Sequence, residues 1–183
     1  MKIVVFASGS GSTFDYLARN KKGYEIIALF CNNREAGVLE LARKHGVPQV
    51  FVDKDGGWKA KLLELNPDFI LLAGYLKIVP QEIVEAFKDR ILNVHPSLLP
   101  KYGGKYYYGD RVHRAVLEAG EKETGSTIHL VDGGIDTGKI LGQVRVPVYE
   151  DDTVDSLAAR VQAAEKPLYL EEFLRYGGIK CEP

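Results

Sequence analysis

The chain has 183 residues, of which 45% are hydrophobic, 10% aromatic and 27% charged, and its formal net charge is -1. That length fits one ordinary domain with a substantial core, and the balance is that of a globular chain, not of a disordered or membrane-spanning one. So small a charge gives no long-range attraction to nucleic acid or to an anionic membrane, so neither is expected as a partner and any anionic ligand must be held by local groups.

Met1 and Lys2 lead straight into IVVFA, residues 3 to 7, a run too short for a signal-peptide core or a membrane span. It reads as the first β-strand of a cytoplasmic protein. Further runs rich in Val, Ile and Leu occur at EIIALFC (25 to 31), PQVFV (48 to 52), FILLA (69 to 73) and RILNV (90 to 94). Most are spaced to leave room for a helix, and several are apolar throughout, as parallel strands covered on both faces should be. VLELARKHG (38 to 46) and PQEIVEAF (80 to 87) read as helices, the first ending at a Gly suited to a left-handed cap and the second starting with Pro.

After Asn93 the pattern changes. A loop rich in Gly, Pro and Tyr runs to Gly109, DRVHRAVLEAG reads as a helix, and TGSTIHLVD and KILGQVRVPV read as two strands forming an antiparallel extension. The stretch from Asp152 on is a long amphipathic helix with Asp152 and Thr153 at its cap and a bend expected at Pro167. The expected fold is α/β in a single domain, with helices on both faces of a mostly parallel central sheet and that antiparallel C-terminal extension. A mononucleotide-binding half, 1 to 92, is followed by a catalytic half, 93 to 183. Cys31 and Cys181 lie far apart, with no CxxC or Cys/His cluster. A disulfide framework and a structural zinc site are therefore disfavoured, and no metal is expected.

Four stretches offer chemistry. SGSGST, Ser8 to Thr13, lies between the first strand and a helix, where small residues let backbone N–H groups converge on a phosphate beside the positive end of the helix dipole. It lacks the spacing of a dinucleotide or ATP loop, and a tight turn needing two glycines is the plainer reading. GYLKIVP, Gly74 to Pro80, comes after the fourth strand at the carboxyl edge of the sheet, either lining a slot for a flat apolar ligand or packing on the next helix. Asn93 and His95 stand two apart at the end of the fifth strand, so both side chains point to one side, with Pro96 and Pro100 stiffening the chain beyond the pair. VDGGIDTGKI offers Asp132 and Asp136; a carboxylate near His95 would favour the imidazolium and raise the pKa of His95. Either acid also serves as an ordinary turn residue.

HPSLLP with Asn two residues before the His, together with the later IDTG turn, resembles the folate-dependent formyltransferases. Within them, SGSGST, AGYLKIV, NVHPSLLPKY, TIHLVDGGIDTGKIL and VQAAE look nearly end to end like the branch whose acceptor is glycinamide ribonucleotide. The resemblance implies a Rossmann-like formyltransferase fold and transfer of a formyl group from 10-formyltetrahydrofolate to an amine in de novo purine biosynthesis, by a monomer or homodimer. It also implies that Gly11, Ser12 and Thr13 bind the substrate phosphate, that Glu165 contacts the substrate and that Leu76, Lys77, Ile78 and Val79 line the folate pocket. Asn93 would hydrogen-bond the formyl oxygen, His95 would act as general acid, and Asp136 would orient His95.

Three departures stand out. Lys77 occupies a position where the family often has Arg, and the short DKDGGWKAKL segment lacks an expected Arg; the sequence leaves open whether Lys59 and Lys61 replace it. PKYGGKYYYGDRVH carries three consecutive tyrosines, Tyr106 to Tyr108, in a longer loop. Two alternatives therefore accompany the resemblance: a formyltransferase acting on an amino sugar nucleotide or another small amine, and a non-catalytic nucleotide-binding module in which Asn93, His95 and Asp136 only brace a turn.

Overall fold

In the computed structural model, which describes residues 1–179, the apolar runs of the first half form β1 (Lys2–Ala7), β2 (Glu25–Cys31), β3 (Gln49–Phe51) and β4 (Phe69–Leu72). Cys181 lies outside the described residues. Helices α1 (Ser12–Arg19), α2 (Val38–Lys44), α3 (Gly57–Leu65) and α4 (Gln81–Ala86) alternate with these strands. The second half contributes β5 (Ile91–His95), α5 (Asp110–Glu118), β6 (Glu123–Leu130), β7 (Ile140–Pro147) and α6 (Val154–Tyr176). The sheet has seven strands in the order β3-β2-β1-β4-β5-β6-β7. This is the expected mostly parallel, Rossmann-like α/β arrangement with an antiparallel end.

Two compact units divide the chain after Leu92. In the first, β1 pairs in parallel with β2 and β4, and β2 in parallel with β3. Ile3, Val4, Val5, Phe6 and Ala7 are all buried, because a central parallel strand is covered on both faces. Phe6 stacks on Phe30 with ring centroids 4.7 Å apart, and Trp58 of α3 meets both rings edge-on. Each such buried ring contributes roughly 1.5–3 kcal/mol through the water it no longer orders. Sequence patterning gives no helix at α3. Gly56 and Gly57 hide its start, and only Trp58 and Leu62 are buried, so its apolar face is narrow.

In the second unit β6 and β7 are antiparallel, from Glu123 opposite Pro147 to His129 opposite Ile140. Helix α6 packs on both strands and on α5. Val116, Val146, Leu157 and Val161 form the core there, with the ring of Tyr102 partly buried against them. The expected cap is present: Thr153 Oγ1 accepts from Ser156 N at 3.1 Å, and Ser156 Oγ in turn accepts from Thr153 N at 3.0 Å. Asp152 holds Arg160 through two bonds of 2.6 and 2.7 Å, fixing the first turns of the helix. Helix α6 continues through Pro167 as one element.

Candidate active site

Asn93 and His95 occupy the last turn of the pleat in β5, and the chain leaves the strand immediately after them. His95 Nε2 lies 2.7 Å from the carbonyl oxygen of Tyr102. A carbonyl only accepts, so Nε2 carries the hydrogen and Nδ1 is the nitrogen left for a reacting group. Nδ1 faces Asp136 Oδ2 at 3.4 Å, an electrostatic contact longer than an ordinary hydrogen bond. Of the two carboxylates on offer, Asp136 is therefore the partner. Asp132 instead accepts from Gly134 N at 2.9 Å and Thr137 Oγ1 at 2.6 Å, closing the turn that carries Asp136.

Asp136 has φ 57, a left-handed conformation uncommon for a residue with a Cβ, and Gly104 N donates to its Oδ2 at 3.0 Å. Burial pushes the Asp136 carboxyl up, but His129, His95 and the Gly104 N–H prevail and hold it below the usual carboxylate range. For His95 the balance is opposite to the sequence expectation. Burial dominates and lowers its pKa, and the opposing pull of Asp136 and the Tyr102 carbonyl does not overcome it. The imidazole therefore rests neutral near pH 7, with Asp136 placed to stabilise a proton that arrives on Nδ1.

His129 of β6 completes the cluster, and sequence reasoning missed it. Its Nδ1 donates to Leu130 O at 2.9 Å, so Nε2 is an acceptor and receives a hydrogen from Asn93 Nδ2 at 3.1 Å. That bond fixes which way the Asn93 amide faces and leaves its second N–H for another acceptor. His129 Nε2 is also 3.6 Å from Asp136 Oδ1. The available signal was a histidine within the buried alternation TIHL, a feature that looks like an ordinary core residue. Glu165 is buried and joined to the same strand end: Ser126 Oγ lies 3.0 Å from His95 O and 3.2 Å from Glu165 Oε2.

The first unit contains the phosphate-loop candidates. Gly11 takes φ 83 immediately before α1, and a Cβ on it would stand 2.5–2.8 Å from Val38 of α2. Glycine is required here for both backbone angle and close packing. Ser12 and Thr13 are the first two residues of α1, at the positive end of its dipole. Ser8 Oγ donates to Asn32 Oδ1 at 2.6 Å and accepts from Leu76 N at 2.9 Å, tying the loops after β1, β2 and β4 together. Beyond that tie Leu76 and Ile78 are 59% and 72% exposed and Lys77 is exposed, whereas Val79 is buried. Leu76 and Ile78 are thus two large apolar side chains that this loop leaves in water. Lys59 pairs with Glu82 and Lys61 with Glu64, so both proposed substitutes for the absent Arg already have carboxylate partners.

Among the described residues, no helix is long and apolar enough to cross a membrane, and no group of three or more His, Cys, Asp or Glu side chains is placed to hold a metal ion.

The formyl transferase family model matches residues 1–173. Phosphoribosylglycinamide formyltransferase of Escherichia coli (strain K12) is 35% identical over 92% of this chain and 84% of its own length. The chloroplastic phosphoribosylglycinamide formyltransferase of Vigna unguiculata is 44% identical over 93% of this chain, which spans 59% of that longer protein; for the Arabidopsis thaliana counterpart the share is 63%. Among solved structures, phosphoribosylglycinamide formyltransferase from Anaplasma phagocytophilum superposes with a TM-score of 0.90 at 32% identity, covering 100% of this chain and 89% of that one. The chain belongs to the formyl transferase family.

Proposed function

We propose that the protein transfers a formyl group from 10-formyltetrahydrofolate to the amine of glycinamide ribonucleotide, a step of purine biosynthesis, in the cytoplasm and as a monomer or homodimer. The observation that carries the reading is the convergence of Asn93, His95 and Asp136, with Nε2 of His95 held by the Tyr102 carbonyl and Nδ1 facing the Asp136 carboxylate, in a chain whose relatives bear the name phosphoribosylglycinamide formyltransferase.

The substrate amine attacks the formyl carbon and the carbonyl oxygen becomes an oxyanion. The free N–H of Asn93 meets that charge, a donor worth roughly 3–4 kcal/mol when aimed at the transition state. Neutral His95 accepts the amine proton on Nδ1, Asp136 stabilises the imidazolium so formed, and the same proton passes to the departing folate nitrogen. General-acid action by His95 thus comes after a basic step, in keeping with its lowered pKa. Gly11, Ser12 and Thr13 take the acceptor's phosphate, Glu165 contacts the acceptor, and Leu76, Lys77, Ile78 and Val79, with Asn93, take the folate.

Purified protein supplied with 10-formyltetrahydrofolate should formylate glycinamide ribonucleotide and show much slower transfer to an amino sugar nucleotide. Equal or preferred use of the amino sugar would move the assignment to the alternative acceptor, whose recognition the exposed Tyr106 to Tyr108 would then explain.

A further inference from the structure

We propose that Tyr102 and Glu121 are positioning residues for His95: the bond between phenol and carboxylate holds Tyr102 in a left-handed backbone conformation that aims its carbonyl at Nε2. This rests on the reading that His95 carries the proton in formyl transfer.

Tyr102 has φ 54, which a side chain with a ring rarely adopts, and such a conformation persists only where its surroundings over-determine it. Three contacts do so. Tyr102 Oη donates to Glu121 Oε1 at 2.9 Å, its ring meets Tyr107 edge-on with centroids 5.6 Å apart, and the ring's inner face lies on the Val116, Val146, Leu157 and Val161 core. Lys101 Nζ donates to the same oxygen of Glu121 at 2.9 Å, so consecutive side chains of the strap converge on one carboxylate. Ser97 Oγ closes the strap from within by donating to Lys101 O at 2.6 Å.

The consequence falls on one atom. The carbonyl of Tyr102 fixes the proton of His95 on Nε2 and thereby leaves Nδ1 turned to Asp136. Two residues further on, Gly104 N holds Asp136 itself. Glu121, just beyond the end of α5, thus reaches the reacting imidazole through one phenol ring and one peptide carbonyl. Without the phenol bond the strained peptide relaxes, and Nε2 loses its acceptor. Lys101 and then Tyr102 hold the Glu121 carboxyl below its usual range, so it remains a carboxylate and a strong acceptor across the working pH range. The other titratable groups facing His95 are Asp136, His129 and, from α5, His113.

The test compares Tyr102→Phe, Glu121→Ala, Glu121→Gln and the double variant Tyr102→Phe/Glu121→Ala with the wild type, using Glu123→Ala as control. Glu123, on β6, pairs with Arg145 of β7 on the same surface. Tyr102→Phe and Glu121→Ala should each lower kcat about 10-fold or more, as expected when a reacting group loses its alignment, with KM for both substrates within about twofold. The pH midpoint of kcat/KM should fall because His95 loses an acceptor that favours its protonated form. The double variant should be no slower than the worse single, Glu121→Gln should retain most of the rate, and Glu123→Ala should match wild type.

Nitrogen-15 spectra of His95 in the same proteins without substrates should show Nε2–H in the wild type and a mixture of tautomers in Tyr102→Phe. Variants that lose thermal stability but keep the wild-type kcat, pH profile and tautomer would overturn the proposal. Failure of the wild type itself to transfer formyl, with the tautomer still changing in Tyr102→Phe, would overturn the functional reading and leave the positioning role standing.

Discussion

His95 Nδ1 stands 3.4 Å from Asp136 Oδ2, with its other nitrogen committed to Tyr102 O at 2.7 Å. Burial lowers the His95 pKa below the 6.5 of an ordinary imidazole, so the neutral ring is the resting form. Through linkage, a depressed pKa contributes stability that is present above the unfolded value and lost as pH falls through the folded one. The acid limb of kcat/KM should therefore have its midpoint below 6.5, and thermal stability should decline over the same window. An acid limb centred above that value would show that burial does not dominate.

The bond from Asn93 Nδ2 to His129 Nε2 gives a prediction about rate. Asn93→Ala should lower kcat by about 10²–10³, the usual cost of one oxyanion donor. His129→Leu retains the donor but releases its orientation, so it should show a smaller loss, which steady-state kinetics would resolve from that of Asn93→Ala.

Gly11→Ala should destabilise the first unit. Its new Cβ meets Val38 at 2.5–2.8 Å and φ 83 is costly for alanine, at about 1–2 kcal/mol for the backbone alone. Thermal denaturation should show a drop of roughly 2–4 °C per kcal/mol. Val38→Ala in the same protein should recover part of it by making room, but not the backbone share.

At the start of α6, Arg160 and then Tyr149 N and Ser156 Oγ hold the Asp152 carboxyl well below the usual carboxylate range, against the effect of its burial. Stability from that site is present above the unfolded pKa of an aspartate and is lost as pH falls through the folded value. Arg160→Met should consequently destabilise the protein near neutral pH more than in strong acid, as pH-dependent urea melts would show. Thr153→Ala should cost about 1 kcal/mol at any pH, because the cap it removes is uncharged.

The parts of this molecule that sequence reveals are those with a period or a local rule. The strands β1 and β2 announce themselves by unbroken apolar runs, α6 by its Thr153 cap, and the ends of β5 and β4 by the polar or turn residues next in the chain. Spacing along β5 also puts Asn93 and His95 on one side. What lies beyond sequence is set by contacts between distant segments. Neither the tautomer imposed by the Tyr102 carbonyl nor the place of His129 beside Asn93 has a local pattern. Local pattern alone does not choose between Asp132 and Asp136; the family resemblance names Asp136, and its placement depends on a left-handed turn that no propensity rule fixes. Likewise, sequence misjudges the pKa of His95 because a nearby carboxylate is visible as a motif while the depth of burial is not.

The most direct test is the single-turnover rate of Asp136→Asn with 10-formyltetrahydrofolate and glycinamide ribonucleotide both saturating, alongside their binding affinities. Asparagine tolerates the left-handed backbone at this position, so the turn should survive and only the charge is lost. Binding should stay within a few-fold of wild type, while the rate of formyl transfer should fall by about 10²–10⁴. A variant that binds both substrates and transfers formyl at the wild-type rate would contradict the role assigned to Asp136 and, with it, the proton path through His95.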